Sequence, residues 1–522
     1  MFGSRLRKQR PDQASLMTIS VSHADEPARG RGGGLAGSLA GSSGGLLPLW
    51  VGVAVYALFI VAGNTLLRDP DTLWQVTLGQ WMLDHHAVPH EDVYSFTMRG
   101  EPWISTQWLA QILFAKAYDW AGWSGPVVLG AAAIAATYAL LVRYLAARLS
   151  AGASLVFICA ALAISLPHLL ARPHVLAMPF MVLWIGGMIA AADRREAPSF
   201  WLLPNLVLWT NLHGGFVFGL MMVAPVALDA VVSADRDARK MLALRWAVFG
   251  LTALLATFCN PYGWDTLLAS RKILGLGRAL QLIMEWHAAD FSRLDAFEIY
   301  LLLGIGLMLY RGVTLPVTRI LILLGLLHMA LSQGRAAEIL TMIAPMVVAV
   351  PLARQIGGRV PVEDHAPRGM LVGVVVAVLV VGTAAYASVH RFEPNLRGAP
   401  VAAVTELKKL NVARVLNDYD FGGYLIYRGV DTFIDGRTEL FGETFFVDHN
   451  NASGLAEPEN LFRLLDQYKI DATFLRTQSA ATKLLDHLDG WQKVYSDDVA
   501  TIHVRKAGAV HTREPLIDAT IR

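Results

Sequence analysis

Leu46-Leu47-Pro48-Leu49-Trp50-Val51-Gly52-Val53-Ala54-Val55-Tyr56-Ala57-Leu58-Phe59-Ile60-Val61-Ala62-Gly63-Asn64-Thr65-Leu66-Leu67 runs directly into Arg68-Asp69-Pro70-Asp71-Thr72-Leu73-Trp74. The first stretch is about 20 residues of almost unbroken apolarity, the length an α-helix needs to cross about 30 Å of hydrocarbon. It is longer than a signal-peptide core and lacks a small-residue cleavage site, so it reads as a retained span. Ahead of it, Arg5, Arg7, Lys8 and Arg10 and a Gly/Ser-rich stretch from Gly30 to Gly45 have no apolar surface to bury. Residues 1–46 are therefore expected to be a disordered basic tail, which puts the N-terminus in the cytoplasm by the positive-inside rule.

The rest of the chain agrees with this start. A hydrophobic share of 54%, a charged share of 16% and a mean hydropathy of +0.44 are incompatible with a solvated globule of 522 residues. A net charge of +2 without a Lys/Arg block sets nucleic acid aside as a partner. Cys159 and Cys259 fall inside apolar runs, where a cysteine serves as a small hydrophobe. Further spans are expected near 125–145, 152–168, 174–192, 200–213, 216–232, 245–259, 298–310, 317–332, 338–353 and 369–389, about eleven in all over residues 47–389. The connections this order leaves in the cytoplasm hold Arg143, Arg148, Arg194, Arg195, Arg236, Arg239, Lys240, Arg245, Arg311, Arg319, Arg354, Arg359 and Arg368. The stretches 200–213 and 245–259 are short for a full crossing, and helices that stop early can line a wet cavity.

The connections on the other side carry a different chemistry. The long loop 68–124 opens with Asp69-Pro70-Asp71 and continues through Asp84, His85, His86, His90, Glu91 and Asp92. Later outer turns read Pro167-His168-Leu169-Leu170-Ala171-Arg172-Pro173-His174, Asn211-Leu212-His213-Gly214, Asn260-Pro261-Tyr262-Gly263, Glu285-Trp286-His287 and Gln333-Gly334-Arg335. Polar groups at this depth normally pair across the bundle or line a water-filled site. The alternative for each is a helix-end residue satisfied by backbone or headgroups. Two carboxylates one residue apart can hold a divalent metal or leave one free as a general base, and an Asp-Pro-Asp ahead of a helix can also act as an N-cap.

The run Asp69-Pro70-Asp71-Thr72-Leu73-Trp74, with Gly79-Gln80-Trp81, Pro89-His90-Glu91-Asp92-Val93-Tyr94, Gly100-Glu101-Pro102-Trp103, Arg172-Pro173-His174, Asn211-Leu212-His213-Gly214 and Asn260-Pro261-Tyr262-Gly263, resembles a large bacterial family of membrane glycosyltransferases of the GT-C architecture. The family is related to the lipid-linked-sugar transferases that modify proteins and lipid A. The resemblance implies a catalytic acidic residue in the first outer loop, at Asp71 with Asp69 beside it. It also implies a polyprenyl-phosphate sugar donor arriving from the bilayer and a glycan, lipid or protein acceptor arriving from the periplasm. The moved group would be a hexosyl or pentosyl unit and the setting the bacterial inner membrane. Where the family commonly has a histidine after the tryptophan, Gln75 stands here, so no metal ligand is assigned and the cofactor stays open. On this reading Arg172 and Arg335 hold the donor phosphate, because a guanidinium makes two charge-assisted bonds to an oxyanion and stays ionised in a low dielectric. His174, Asn211, His213, Asn260, Tyr262, Glu285 and His287 would line the cavity. No Walker loop and no strand-bound G-x-G-x-x-G occurs, which fits a lipid-linked rather than a nucleotide-linked donor.

From about His390 charge rises and apolar runs shorten, so residues 390–522 read as a small soluble α/β domain on the periplasmic side. Helices are expected at 400–410 and 457–468, and strands at Arg414–Leu416, Thr432–Ile434, Ala472–Leu475 and Thr501–Val504. Asp435, Arg437 and Glu439, in Phe433-Ile434-Asp435-Gly436-Arg437-Thr438-Glu439, read either as turn architecture or as acceptor-binding groups that face the membrane cavity. Beside the transferase stand two other readings: a polysaccharide or lipid transporter using the same cavity, and a non-catalytic component of envelope polysaccharide assembly.

Overall fold

The computed structural model describes residues 44–283, 286–356, 369–396 and 398–506. The expected tail up to residue 43, and Glu285, Arg359 and Arg368, lie outside the described residues. From Gly44 onward the described residues form one compact unit.

Among the described residues six helices are long and apolar enough to cross a membrane: Ser124–Ala146, Ala151–His168, Pro173–Asp193, Phe216–Ser233, Ala336–Gln355 and Gly369–Val389. Leu47–Val61 and Val317–Ser332 are apolar but shorter, and Leu203–Leu212, Arg239–Ala256 and Ala296–Arg311 cover the remaining expected segments. Local chemistry sets several of the boundaries. Ser150 caps its helix by accepting from Ala153 N at 3.3 Å, Asp295 accepts from Glu298 N at 2.7 Å, and Pro173 takes the first helical position after an extended Arg172. Pro173–Asp193 is the central helix, mostly buried inside the protein, whereas Gly369–Val389 is hardly buried at all.

The two ends of the bundle are held differently. At one end, backbone and amide groups tie neighbouring connections together. Ala171 N donates to Leu66 O at 2.8 Å and Gly334 N to His287 O at 2.8 Å, while Asn211 Nδ2 donates to Cys259 O at 2.9 Å. At the other end Arg319, expected in an inner loop, is instead buried. Its guanidinium donates to Asp193, to Asp229 Oδ2 at 3.0 Å and to Val347 O at 2.8 Å, joining four helices. A charge buried this deeply is tolerated because it is fully paired.

The C-terminal domain stands at the first of these ends. Its sheet is mixed and four-stranded, in the order β1-β2-β4-β3, with β1 Val415–Asn417, β2 Ala472–Arg476, β3 Trp491–Ser496 and β4 Ala500–Arg505. β1 and β2 are parallel and the other pairs antiparallel. Thr432–Ile434 does not join the sheet as expected. It pairs with the long loop instead, through Thr432 N to Tyr94 O at 3.1 Å, Phe96 N to Thr432 O at 3.0 Å and Thr97 Oγ1 to Phe433 O at 2.7 Å. The short apolar run satisfies its backbone across a domain seam, where a strand would do so within a sheet.

That seam is closed by a buried ion cluster. Arg437 Nη1 donates to Asp92 Oδ1 at 2.5 Å, and its Nη2 and Nε donate to Asp435 at 2.7 and 2.8 Å; the side chains of all three are fully buried. The guanidinium also lies 4.9 Å from the Trp103 ring centre. Asp92 belongs to loop 68–124 and Asp435 to the C-terminal domain, so this cluster sets the distance between them.

Candidate active site

Where the loop, the helix ends and the C-terminal domain meet there is a cavity of about 1040 Å³. Asp69, Asp71, Arg172 and Arg335 all line it, so four residues singled out in the sequence from three distant turns share one site. Opposite them the C-terminal domain contributes Tyr419, Asp420, Glu439 and Arg476, and an apolar side is formed by residues including Ile273, Leu280 and Trp286. A site of this size with few convergent charges and an apolar flank suits an amphiphilic ligand.

Asp71 is the first residue of helix Asp71–His85, whose N-terminal partial positive charge favours a carboxylate there. Asp69 Oδ1 accepts from Asp71 N at 2.8 Å, so Asp69 does the capping and leaves the Asp71 side chain to the cavity. Trp74 Nε1 donates to Asp71 Oδ1 at 3.1 Å and Arg172 Nη2 donates to Asp71 Oδ2. Arg172 Nη1 stands 3.2 Å from Asp69 Oδ2. Both ends of the Arg172 fork thus face carboxylates. The side chains of Arg172, Asp69 and Asp71 keep 21%, 15% and 27% exposure, enough to meet a ligand. Arg335 stands over the Trp286 ring at 5.0 Å, which fixes its guanidinium at the cavity wall.

A smaller annex of about 140 Å³ continues from Asp71 and is more polar, with Gln75, Gln107, His174, His213 and Glu338 in its walls. The His174 and His213 rings meet edge to face at 6.2 Å. His174 Nε2 contacts His168 O at 2.9 Å, and His213 Nδ1 accepts from Gly215 N at 3.0 Å. Gln75 lies in an amide chain in which Gln111 Nε2 donates to Gln75 Oε1 at 2.5 Å and Gln75 Nε2 to Gln107 Oε1 at 3.2 Å. Among the described residues no group of three or more His, Cys, Asp and Glu side chains is placed to hold a metal ion. Asp69 and Asp71 are both turned to Arg172.

Other sequence candidates lie elsewhere. Asn211 is spent on Trp108 Nε1, Val207 O and Cys259 O, and Asn260 holds its own turn through Thr257 O, Tyr262 N and Thr266 Oγ1. Tyr262 packs edge to face on His90 at 5.2 Å. His287 gives the structure its carbonyl, while Trp286, from the same turn, lines the cavity. Asp435 and Arg437, offered as acceptor groups, are occupied by the buried seam cluster; Arg437 touches the annex wall but has no charge to spare.

Glu439, which the sequence offers beside Asp435 and Arg437 as a cavity-facing group, stands in the first turn of Thr438–Gly454 and lines both cavities; Trp103 Nε1 donates to its Oε1 at 3.0 Å, and burial raises its carboxyl above the ordinary glutamate range. Other residues of the C-terminal wall escaped the sequence reading. Asp418 and Asp420 hold Arg476 at the cavity edge, through a 3.3 Å contact from Nε to Asp418 and a bond from Nη2 to Asp420. Burial raises the Asp420 carboxyl, and Arg476 works against that rise. Gly436 was a signal: a Cβ there would sit 2.9 Å from Asp71 Oδ1, so its lack of a side chain lets the domain press against the loop.

No family model matches the chain, and no curated protein does. Solved structures do. The oligosaccharyltransferase AglB from Archaeoglobus fulgidus, in complex with an inhibitory peptide and a dolichol-phosphate, aligns at a TM-score of 0.50 and 12% identity, over 83% of this chain and 69% of that one. The apo oligosaccharyltransferase from the same organism gives 0.49 and 12%, over 83% and 70%. ArnT from Cupriavidus metallidurans bound to undecaprenyl phosphate gives 0.30 and 13%, over 92% and 100%. The AglB likeness shows a common fold, the GT-C architecture.

Proposed function

We propose that this chain is a membrane glycosyltransferase that moves a hexosyl or pentosyl unit from a polyprenyl-phosphate donor to an acceptor hydroxyl on the periplasmic face of a bacterial inner membrane. The observation that carries this reading is the juxtaposition of Asp71 and Arg172 in a cavity shared by helix ends and the C-terminal domain. The chain crosses the bilayer about eleven times with a cytoplasmic N-terminus, the shorter helices ending early at the cavity. The AglB fold, in a protein whose structure holds a dolichol-phosphate, supports a lipid-linked donor.

The reaction is a single inverting displacement. The acceptor oxygen attacks the anomeric carbon as its proton passes to an Asp71 oxygen, and the bond from that carbon to the phosphate oxygen breaks, its electron pair leaving with the lipid phosphate. Arg172 and Arg335 hold that phosphate as its charge grows, an electrostatic role that strengthens in the transition state. The apolar flank around Ile273 and Leu280 takes the first part of the prenyl chain. The polar C-terminal wall faces the acceptor.

Purified protein in reconstituted membranes, given labelled lipid-linked sugars, tests this through release of polyprenyl phosphate. Wild type should turn over, and Asp71→Asn should fold but lose at least about 100-fold in kcat, the usual worth of a positioned base. Equal release by both removes Asp71 from the chemistry. Failure of wild type across a donor panel favours the transport or assembly readings.

A further inference from the structure

Both ends of the Arg172 fork meet carboxylate: Nη1 lies 3.2 Å from Asp69 Oδ2, and Nη2 bonds Asp71 Oδ2. We infer that Asp69 and Asp71 occupy the donor phosphate's place on Arg172, so that the arriving phosphate displaces them and thereby turns Asp71 toward the acceptor. This rests on the lipid-phosphate reading above and adds to it a role for Asp69 as a positioning residue that sets donor affinity.

Charge and geometry both lead there. The Arg172 guanidinium engages two carboxylates, Asp69 and Asp71, so an anionic ligand and these carboxylates compete for one cation. A planar fork has two parallel donors, and a phosphate engaging both needs the positions the carboxylates now fill. The remaining holds on the carboxylates survive that exchange. Asp71 keeps Trp74 Nε1 on Oδ1, and Asp69 keeps the Asp71 backbone N–H on Oδ1. The oxygen each gives up is Oδ2, the one turned to Arg172. With an anion on Arg172, Asp71 Oδ2 turns from the guanidinium and serves as the proton acceptor. The exchange closes in charge: the diester donor brings one negative charge, and after transfer the protonated Asp71 offsets the second charge that appears on the lipid phosphate.

Asp69→Asn separates the two jobs of Asp69, because an amide oxygen still accepts the Asp71 N–H while the charge on Arg172 is lost. Binding of undecaprenyl phosphate to the full-length protein in detergent should tighten about tenfold in this variant, the scale of one charge-assisted competitor removed. Asp71→Asn should tighten it likewise, and Arg172→Ala should weaken it. In turnover, Asp69→Asn should lower KM for the lipid-linked sugar and lower kcat with it, since the product phosphate also leaves more slowly. A merely structural loss would raise KM. Inorganic phosphate should compete with undecaprenyl phosphate more effectively in Asp69→Asn than in wild type, because the contest is over the phosphoryl group and not the prenyl chain. Unchanged or weaker binding in both Asn variants, with wild-type thermal midpoints, overturns the inference while leaving the donor reading intact. Wild-type protein that binds no undecaprenyl phosphate, and is unaffected by Arg172→Ala, overturns both.

Discussion

Glu439 has an indole for its nearest partner, and burial keeps its carboxyl above the ordinary range while Trp103 and then Arg437 act against the rise. The folded state therefore holds a proton on Glu439 that the unfolded chain has released, and stability falls as pH rises from about 4.3 through the raised value. Glu439→Gln should flatten that limb of a thermal-midpoint profile. His449 slopes the other way. Burial lowers its value, and its Nε2 lies 2.8 Å from Asn417 O as a neutral donor. Stability is lost as pH falls below about 6.5, where the unfolded histidine charges and the folded one resists. His449→Gln should reduce that acid loss in the same measurement. Asp71 and Arg172 could be read from the sequence because charged residues at the ends of apolar spans have few ordinary explanations. Asp420 and Arg476 could not, because charged side chains on a soluble domain are ordinary surface, and only docking of the domain turns them into a cavity wall.

Short glycine-bearing elements make that docking possible. A Cβ on Gly422 would stand 2.5 Å from the Asp435 Cα and 2.7 Å from Ile434 O, both backbone, so Gly422→Ala has to move a chain segment and should cost about 1–3 kcal/mol in stability. Gly436→Ala meets side chains instead, Asp71 Oδ1 at 2.9 Å and Trp74 Nε1 at 3.5 Å. It should leave the thermal midpoint nearly unchanged and cut kcat about tenfold by displacing the carboxylate. Comparing melting with turnover for the two variants checks both. The helices at 400–410 and 457–468 and the strands β2 and β4 were legible as alternating apolar segments between polar turns. Thr432–Ile434 was misread because apolar residues facing a domain seam have the same pattern as a buried strand. β3 went unseen because it is an edge strand, exposed along most of its length, with no apolar alternation to mark it. Thr438–Gly454 hides a break at Gly442, with φ 76° and ψ 169°, that apolar periodicity does not reveal.

At the scale of the molecule, the Asp92–Arg437–Asp435 cluster holds the domain to the loop. Replacing Asp92 with Asn leaves a buried guanidinium partly unpaired and should cost about 3–5 kcal/mol, the usual result of breaking a buried pair from one side. Limited proteolysis should then release the C-terminal domain at temperatures where wild type resists. The membrane-bound character of the chain was plain from composition, and polar loops on one face marked where the site lies. Arg319 was counted as a loop charge because a window of sequence does not display Asp193 and Asp229, its partners from other helices. Helix Gly369–Val389 bears on how the whole is assembled. It leads into the C-terminal domain, yet it meets the bundle at little more than Tyr56 Oη to Thr383 Oγ1, 3.0 Å, and Tyr386 Oη to Val61 O, 3.5 Å. The domain is placed by its non-covalent seam, through Asp92, Tyr94 and Thr97, and not by that tether. Residues 1–356 and 369–522 made as two separate polypeptides in one cell should accordingly find each other and purify together, a gene split that the linear order of the chain would not suggest is tolerated.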